Sequence, residues 1–226
     1  MSSGTSFFRE RSRIMIASQT TECSCKHIVS VSLGSSERNA KSTLQLKGQT
    51  FVIERLGTDG NLQKARQLLE ELDGQVDALG LGGTDLYVYA GGRRYTFRES
   101  ARLIENVKKT PVLDGSGLKN SLERILINRL AADKIIDFQG KKVLMVCGVD
   151  RFGMAEALVA NGADVTFGDL IFGLNWDHPI KSLQTLDKFA KLLAPVLTKL
   201  PVRWFYPMGA KQSQRKPQHQ KYFFEN

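Results

Sequence analysis

From His27 onward, short apolar runs ending in glycine and small polar residues alternate with segments of helical periodicity, and that alternation leaves few folds open. HIVSVSLG (27–34), TFVIERLG (50–57), VDALGLGG (76–83) and PVLDG (111–115) read as core strands. Between the second and third, Leu62, Ala65, Leu68, Leu69 and Leu72 share one helical face, with Asn61 to cap its start and Gly74 to stop it. LYVYA-GG-RRYTF reads as a hairpin with a Gly-Gly turn. Thr96 and Glu99 have capping-box spacing ahead of a helix around Ala101–Val107. Leu118, Leu122, Ile125, Leu126 and Leu130 mark a long helix after the fourth strand.

The polar stretch ADKIIDFQGKK precedes a second unit. VLMVCG (143–148) has no polar face, as a buried parallel strand requires. RFGMAEALVANG is a short helix stopped by Gly162, and ADVTFGD (163–169) is the next strand. A helix built on Leu183, Leu186, Phe189, Ala190, Leu193 and Leu197 follows, with Pro195 near its end, and VRWFY (202–206) reads as a last strand. The expected fold is therefore α/β, with two lobes of mostly parallel sheet over residues 27–132 and 141–210. The second lobe is a partial Rossmann-like βαβαβ unit. Its three strands are half of a doubly wound fold, so it is completed by the first lobe or by a second subunit, or the chain is shortened. A homo-oligomer stays open on this ground. Residues 1–26 read as a disordered extension and 211–226 as a basic tail.

Charge limits the partners. The net charge is +9, but residues 1–26 carry +2 of it and 199–226 carry +5, leaving +2 for the folded part. A folded nucleic-acid binder displays its basic surface on the domain itself, so nucleic acid is not the expected partner. No apolar run approaches the ~18 residues of a membrane span, and three cysteines cannot build a disulfide framework. A cytoplasmic protein is expected. Cys23, Cys25 and His27 alternate and would share one face of a strand, but a fourth ligand is missing, so no metal site is expected.

Chemistry is expected beyond the carboxyl ends of the strands, where open parallel sheets bind ligands. In the first lobe those ends read SLGSS, LGTDGN, LGGTD and LDGSGLKN. Ser35, Asp59, Gly83 and Ser116 are the substrate-binding candidates. In DGSGLKN, Ser116 opens a helix whose free amides and Lys119 favour an anion, so a small anionic substrate is expected. Lys119 with Asp85 or Asp114 within reach of one hydroxyl would serve proton transfer.

In the second lobe, Gly148-Val149-Asp150-Arg151-Phe152-Gly153 keeps the first and third glycines of the dinucleotide loop and replaces the middle one by Asp150. A carboxylate there faces the place of a pyrophosphate, and Arg151 beside it could compensate or face solvent. Asp169, 21 residues past Gly148, stands where a ribose-binding acid belongs. Gly148, Asp150, Gly153 and Asp169 are thus the cofactor-binding candidates. NGADVTFGDL also looks like the matching region of S-adenosylmethionine-dependent methyltransferases.

Taken together, VSVSLGSSERN, ERLGTDGN, DALGLGGTDLYVYAGGRRY, TPVLDGSGLKNSLER and VLMVCGVDRFGMAEAL resemble a bacterial and cyanobacterial family often labelled quinate 5-dehydrogenase, over about residues 27–212. The resemblance implies an NAD(P)-dependent oxidoreductase, with NAD or NADP in the second lobe and a cyclic polyhydroxy carboxylic acid in the first. Asp150 departs from the glycine pattern, and TDG (58–60) is only a faint echo of the shikimate-dehydrogenase signatures. The alternative is a non-catalytic nucleoside- or small-anion-binding protein, with a methyltransferase behind it.

Overall fold

A computed structural model describes residues 25–204; the N-terminal extension with Cys23, the basic tail, and Phe205 and Tyr206 of the expected last strand lie outside them. The protein is mixed α/β, built on a mostly parallel five-stranded sheet. Its strands are β1 (Lys26–Ser32), β2 (Ala40–Leu46), β3 (Gln49–Gly57), β4 (Ala78–Gly82) and β7 (Val112–Leu113), in the order β2-β3-β1-β4-β7. β2 is the antiparallel member. Its register pairs Thr43 with Val52 and Leu44 with Phe51, and all seven of its residues are exposed. The apolar-run reading missed it because AKSTLQL has no buried face to create a pattern.

Helix α1 (Leu62–Leu72) starts at Asn61, whose side chain accepts the Lys64 amide, and buries Ala65 and Leu69. Helix α2 spans Arg98–Leu103. It begins at Phe97 with no side-chain cap, one residue past the expected Thr96, and ends four residues short of Val107. Phe97 is only 7% exposed, and its burial sets the start of the helix. Both helices cover one face of the sheet, where Val29, Val31, Leu79 and Leu81 meet Ala65, Leu69 and Leu103 in the first core.

Among the described residues nothing covers the opposite face. Ser30 pairs with Arg55 on one side and Gly80 on the other, and Gly80 with Leu113, so these side chains point to the same side, with Ile28, Ile53 and Ala78 one step along. None belongs to either core, and Leu44, Ile53 and Leu113 are 49%, 39% and 67% exposed.

The second core is not confined to the second lobe. It contains Ala90 and, against it, Tyr95 from the hairpin β5 (Tyr87–Ala90) and β6 (Arg93–Thr96). It also contains Ile127, from the region after β7. There the expected long helix breaks at Ser121 into α3 (Ser116–Asn120) and α4 (Leu122–Ala132). Four of the five residues that read as its core face are turned outward: Leu118, Leu122, Ile125 and Leu126 are 50–61% exposed, while Leu130 packs against the second core and Ile127 is the residue of α4 that is buried. Helix α5 (Phe152–Ala160) decides this. Gly153 lets α5 approach so closely that an added Cβ would lie 2.7 Å from the Asn120 carbonyl oxygen. The pairs Arg124–Glu156 and Arg151–Glu123 lock the two helices together.

β8 (Lys142–Met145) and β9 (Asp164–Phe167) form a two-stranded parallel sheet. Gly162, at φ +82°, ends the α5 segment as expected. Helix α6 (Leu183–Leu197) lies beyond, opened by a Ser182 side chain that accepts the Thr185 amide. The third strand expected at VRWFY does not form over its described part; Val202–Trp204 makes a 3-10 turn, closed by the Trp204 amide donating to the Pro201 carbonyl.

Candidate functional site

Asp114 leaves β7 and accepts the Leu86 amide (2.5 Å), the Ser116 amide (3.1 Å) and the Ser116 hydroxyl (2.5 Å). The Ser116 hydroxyl also lies 2.7 Å from the Tyr87 carbonyl. One carboxylate thus ties the loop after β4 to the first turn of α3. Asp114 takes up the first amide of the DGSGLKN turn, while the bonds of the Lys119 ammonium go to Asp85 and Asp150. Its effect is geometric: Leu86 follows Asp85, Ser116 opens the helix of Lys119, and Asp114 holds both. The other side of Asp85 is fixed by Thr84, whose hydroxyl is 2.7 Å from that of buried Ser100.

Held in this way, Lys119 donates to Asp85 Oδ2 at 2.8 Å and to Asp150 Oδ1 and Oδ2 at 2.8 and 3.0 Å. The three side chains are 20%, 9% and 24% exposed, so the network is largely out of water. Burial alone would lower the Lys119 pKa, but the hydrogen bonds and charges of Asp150 and Asp85 outweigh it and leave the ammonium raised above its ordinary value. The Asp150 carboxyl is pushed up, first by burial and then by the Asp85 charge, against the pull of Lys119. The lysine stays protonated and balances the charge of the two carboxylates, and the carboxylate biased toward the acid form is the member of the network suited to take up a proton.

Sequence reasoning placed Asp150 in the cofactor loop; the structure adds it to the lysine network. Nothing local could have shown this, because Asp85 and Asp150 come from elements 65 residues apart in the chain. The remaining first-lobe candidates make their bonds outside the lysine network. Asp59, at φ +54°, accepts the Ser36 amide at 2.7 Å, which holds its carboxyl below the usual range. Ser35 accepts the Glu37 amide and caps the 3-10 turn Ser36–Arg38. Gly83 turns the chain at φ +76°, against Leu33 and Gly34.

Asp169 bonds back to the glycine turn. Its carboxylate accepts the Gly148 amide (2.9 Å) and the Val149 amide (2.8 Å), and Cys147 Sγ donates to it at 3.4 Å. It opens a short π-helical segment, Asp169–Gly173, rather than ending a strand. Burial nonetheless leaves its carboxyl raised, and burial followed by the Asp169 charge pushes the Cys147 thiol up, which disfavours its thiolate. Gly148 has no room for a side chain: a Cβ would sit 2.6 Å from Phe167 and 2.8 Å from Leu186.

A cleft of about 440 Å³ opens beside this turn, at the carboxyl ends of β8 and β9. That volume falls in the range of small-molecule sites, roughly 300–1,000 Å³. Its walls are apolar, with Phe172, Leu186, Phe189 and Leu193 among them, and Asp150 and Asp169 stand on its rim. On its other side, Asp150 borders a smaller void with Lys119, Tyr87 and Phe152. The cleft was not legible in the sequence, because its lining comes from α6, the segment after β9 and the first-lobe residues Val88 and Phe97.

Residues 27–114 match a family described as a domain of unknown function, DUF8753, and residues 117–226 match another, DUF8754. The junction between them falls in the Asp114–Ser116 turn, so Asp85 lies in one match and Lys119 and Asp150 in the other. No curated protein and no solved structure matches the chain. Among the described residues no helix is long and apolar enough to cross a membrane, and no cluster of metal ligands forms.

Proposed function

We propose that the protein is a nucleotide-dependent oxidoreductase of the quinate 5-dehydrogenase type, acting on a small alicyclic hydroxy carboxylic acid. The observation that carries the reading is Lys119, bonded to Asp85 and Asp150 where Asp150 borders the apolar cleft. The cleft has the size and apolar character for a nicotinamide or adenine ring. Asp169 retains lone pairs for a ribose hydroxyl, and no side chain caps the first amides of α5. Lys119, shared with Asp85, offsets part of the Asp150 charge and so lessens the repulsion that a diphosphate would meet there. Gly148, Gly153 and Asp169 would therefore hold NAD or NADP, and the chemistry such a cofactor supplies is acceptance of a hydride from a carbinol carbon.

The chain's own part is the proton. Asp150 accepts it from the substrate hydroxyl, and Lys119 keeps the carboxylate oriented and its charge balanced while Asp85 fixes Lys119. Three cysteines and no membrane-spanning helix among the described residues are in keeping with work in the cytoplasm.

Calorimetry with NAD⁺, NADP⁺, S-adenosylmethionine and adenosine tests the site, alongside nicotinamide reduction with quinate and shikimate. NAD⁺ or NADP⁺ should bind, Asp169→Ala should weaken that binding about tenfold or more, and Lys119→Met should abolish turnover and also weaken dinucleotide binding, because it leaves the Asp150 charge uncompensated beside the diphosphate. Failure of both dinucleotides to bind overturns the reading. A second reading, a non-catalytic nucleoside-binding protein, is favoured by the Asp169 carboxylate already occupying the Gly148 and Val149 amides. It takes over if adenosine or S-adenosylmethionine binds and the dinucleotides do not.

A further inference from the structure

Two apolar faces of this chain have no cover among the described residues, and they are complementary. One is the outward stripe of α3 and α4: Leu118, Leu122, Ile125 and Leu126, each half exposed or more. The other is the bare face of the five-stranded sheet, where Ser30 and Gly80 leave a shallow channel between Arg55 on one side and Leu113 on the other, with Ile53 two residues along the strand from Arg55. Parallel sheets are covered on both faces almost without exception. The helix that would ordinarily return over this face is the one that follows β7, and here that helix packs on α5 instead. It cannot turn round to its own sheet: Ile127 is in the second core, Gly153 sits on Asn120, and Arg124–Glu156 and Arg151–Glu123 fasten it there.

We propose that a second copy of this chain supplies the missing cover, with the α3–α4 stripe of each copy docking on the open sheet face of the other. Small residues at the centre of the sheet face admit the leucines of a helix, as a ridge enters a groove. The contact is made twice about a two-fold axis. Four aliphatic side chains of the stripe, with Leu44, Ile53 and Leu113 from the sheet, give on the order of the roughly 800 Å² per partner that a stable interface needs. The Arg55 guanidinium on the sheet face is already engaged, donating to the Ser35 carbonyl and the Ser32 hydroxyl, and the chain between the two tails carries only +2 of the +9. The inference does not depend on the ligand proposed above. It bears on the site all the same, because Leu118 and Lys119 are neighbours on a five-residue helix, and seating Leu118 against a partner braces Lys119.

Sedimentation of the full chain over a hundredfold range of concentration tests the proposal, with Leu122→Glu and Ile53→Lys as variants. The wild type should sediment as a dimer and each variant alone as a monomer. An equimolar mixture of the two variants should recover dimers, because one of the two contacts is then wild type on both sides and the other joins Glu to Lys. A monomeric wild type overturns the proposal, as does a dimer that neither substitution disturbs. Loss of dimer in Leu122→Glu with no effect of Ile53→Lys would point to a helix–helix contact and overturn the sheet assignment. If a variant fails to fold, hydrogen exchange of the wild type decides: protection of both the α3–α4 stripe and the β3 strand should rise with concentration, and its constancy overturns the proposal.

Discussion

Lys119 compensates two carboxylates that have little access to water, and removing it leaves both without their cation. Lys119→Met should cost about 2–4 kcal/mol at pH 8, the cost of breaking a buried pair discounted for the residual exposure of these groups. The loss should shrink as pH falls. The folded-state pKa of Asp150 is raised, so the folded form binds a proton that the unfolded chain releases above its carboxylate pKa of about 4; the stability this contributes is present at low pH and is lost as pH rises through the raised folded value. Without Lys119 the value rises further, which widens the window. Urea unfolding at pH 5 and pH 8 checks this, and an equal cost at both pH values would show that Asp150 does not titrate in the folded variant. Asp114→Ala is a sharper probe of geometry. It deletes the acceptor of the Leu86 and Ser116 amides without touching the network, so turnover should fall while nucleotide binding holds; unchanged turnover would show that Asp114 does not position Lys119 and Asp85.

At the scale of elements, two contacts set how helices meet. Gly153→Ala places a methyl group against the Asn120 carbonyl, a backbone atom that cannot swing aside, so α5 must move off α3. The expected cost is about 1–3 kcal/mol, seen as a lower urea midpoint, and an unchanged midpoint would mean that the helices separate freely. Asp73, past the end of α1, accepts the amides of Lys108, Lys109 and Thr110 and so pins the turn before β7 to that helix. These bonds hold its carboxyl below the usual range. The stability it contributes is present above the unfolded pKa of about 4 and is lost as pH falls through the lower folded value. Asp73→Asn should therefore lower the melting temperature at pH 7 and make little difference in strong acid, a contrast that thermal unfolding at the two pH values reads directly.

For the whole molecule, the cores cross the lobes. The β5–β6 hairpin comes from the middle of the first lobe's sequence yet sends Ala90 into the second core, and Lys119 bridges Asp85 to Asp150. The described part should then unfold as one unit. Both tryptophans, Trp176 and Trp204, stand in the second lobe, whereas the backbone signal comes from everywhere. Fluorescence and far-ultraviolet dichroism should give coincident urea transitions, and a fluorescence transition that precedes the other would mean that the second lobe opens alone.

How far the sequence carried this picture follows from the range of the forces involved. Apolar runs ended by glycine fixed the parallel strands of both sheets, Asn61 and Gly162 set a helix start and a helix stop, and Lys119 was singled out from the loop that holds it, because strand burial, caps and positive φ are decided within a few residues. Tertiary contact decided the rest. The Leu118–Leu126 stripe has the period of a core face, but period shows only that a face is apolar and not what covers it; the absence of a side chain at Gly153 turned that face outward. In the sequence Asp150 reads as an obstacle to a phosphate; only the fold shows that it is paired with Lys119, 2.8 Å away. A carboxylate's role is determined by the charge nearest to it, and here that charge is 31 residues distant along the chain and adjacent only in space.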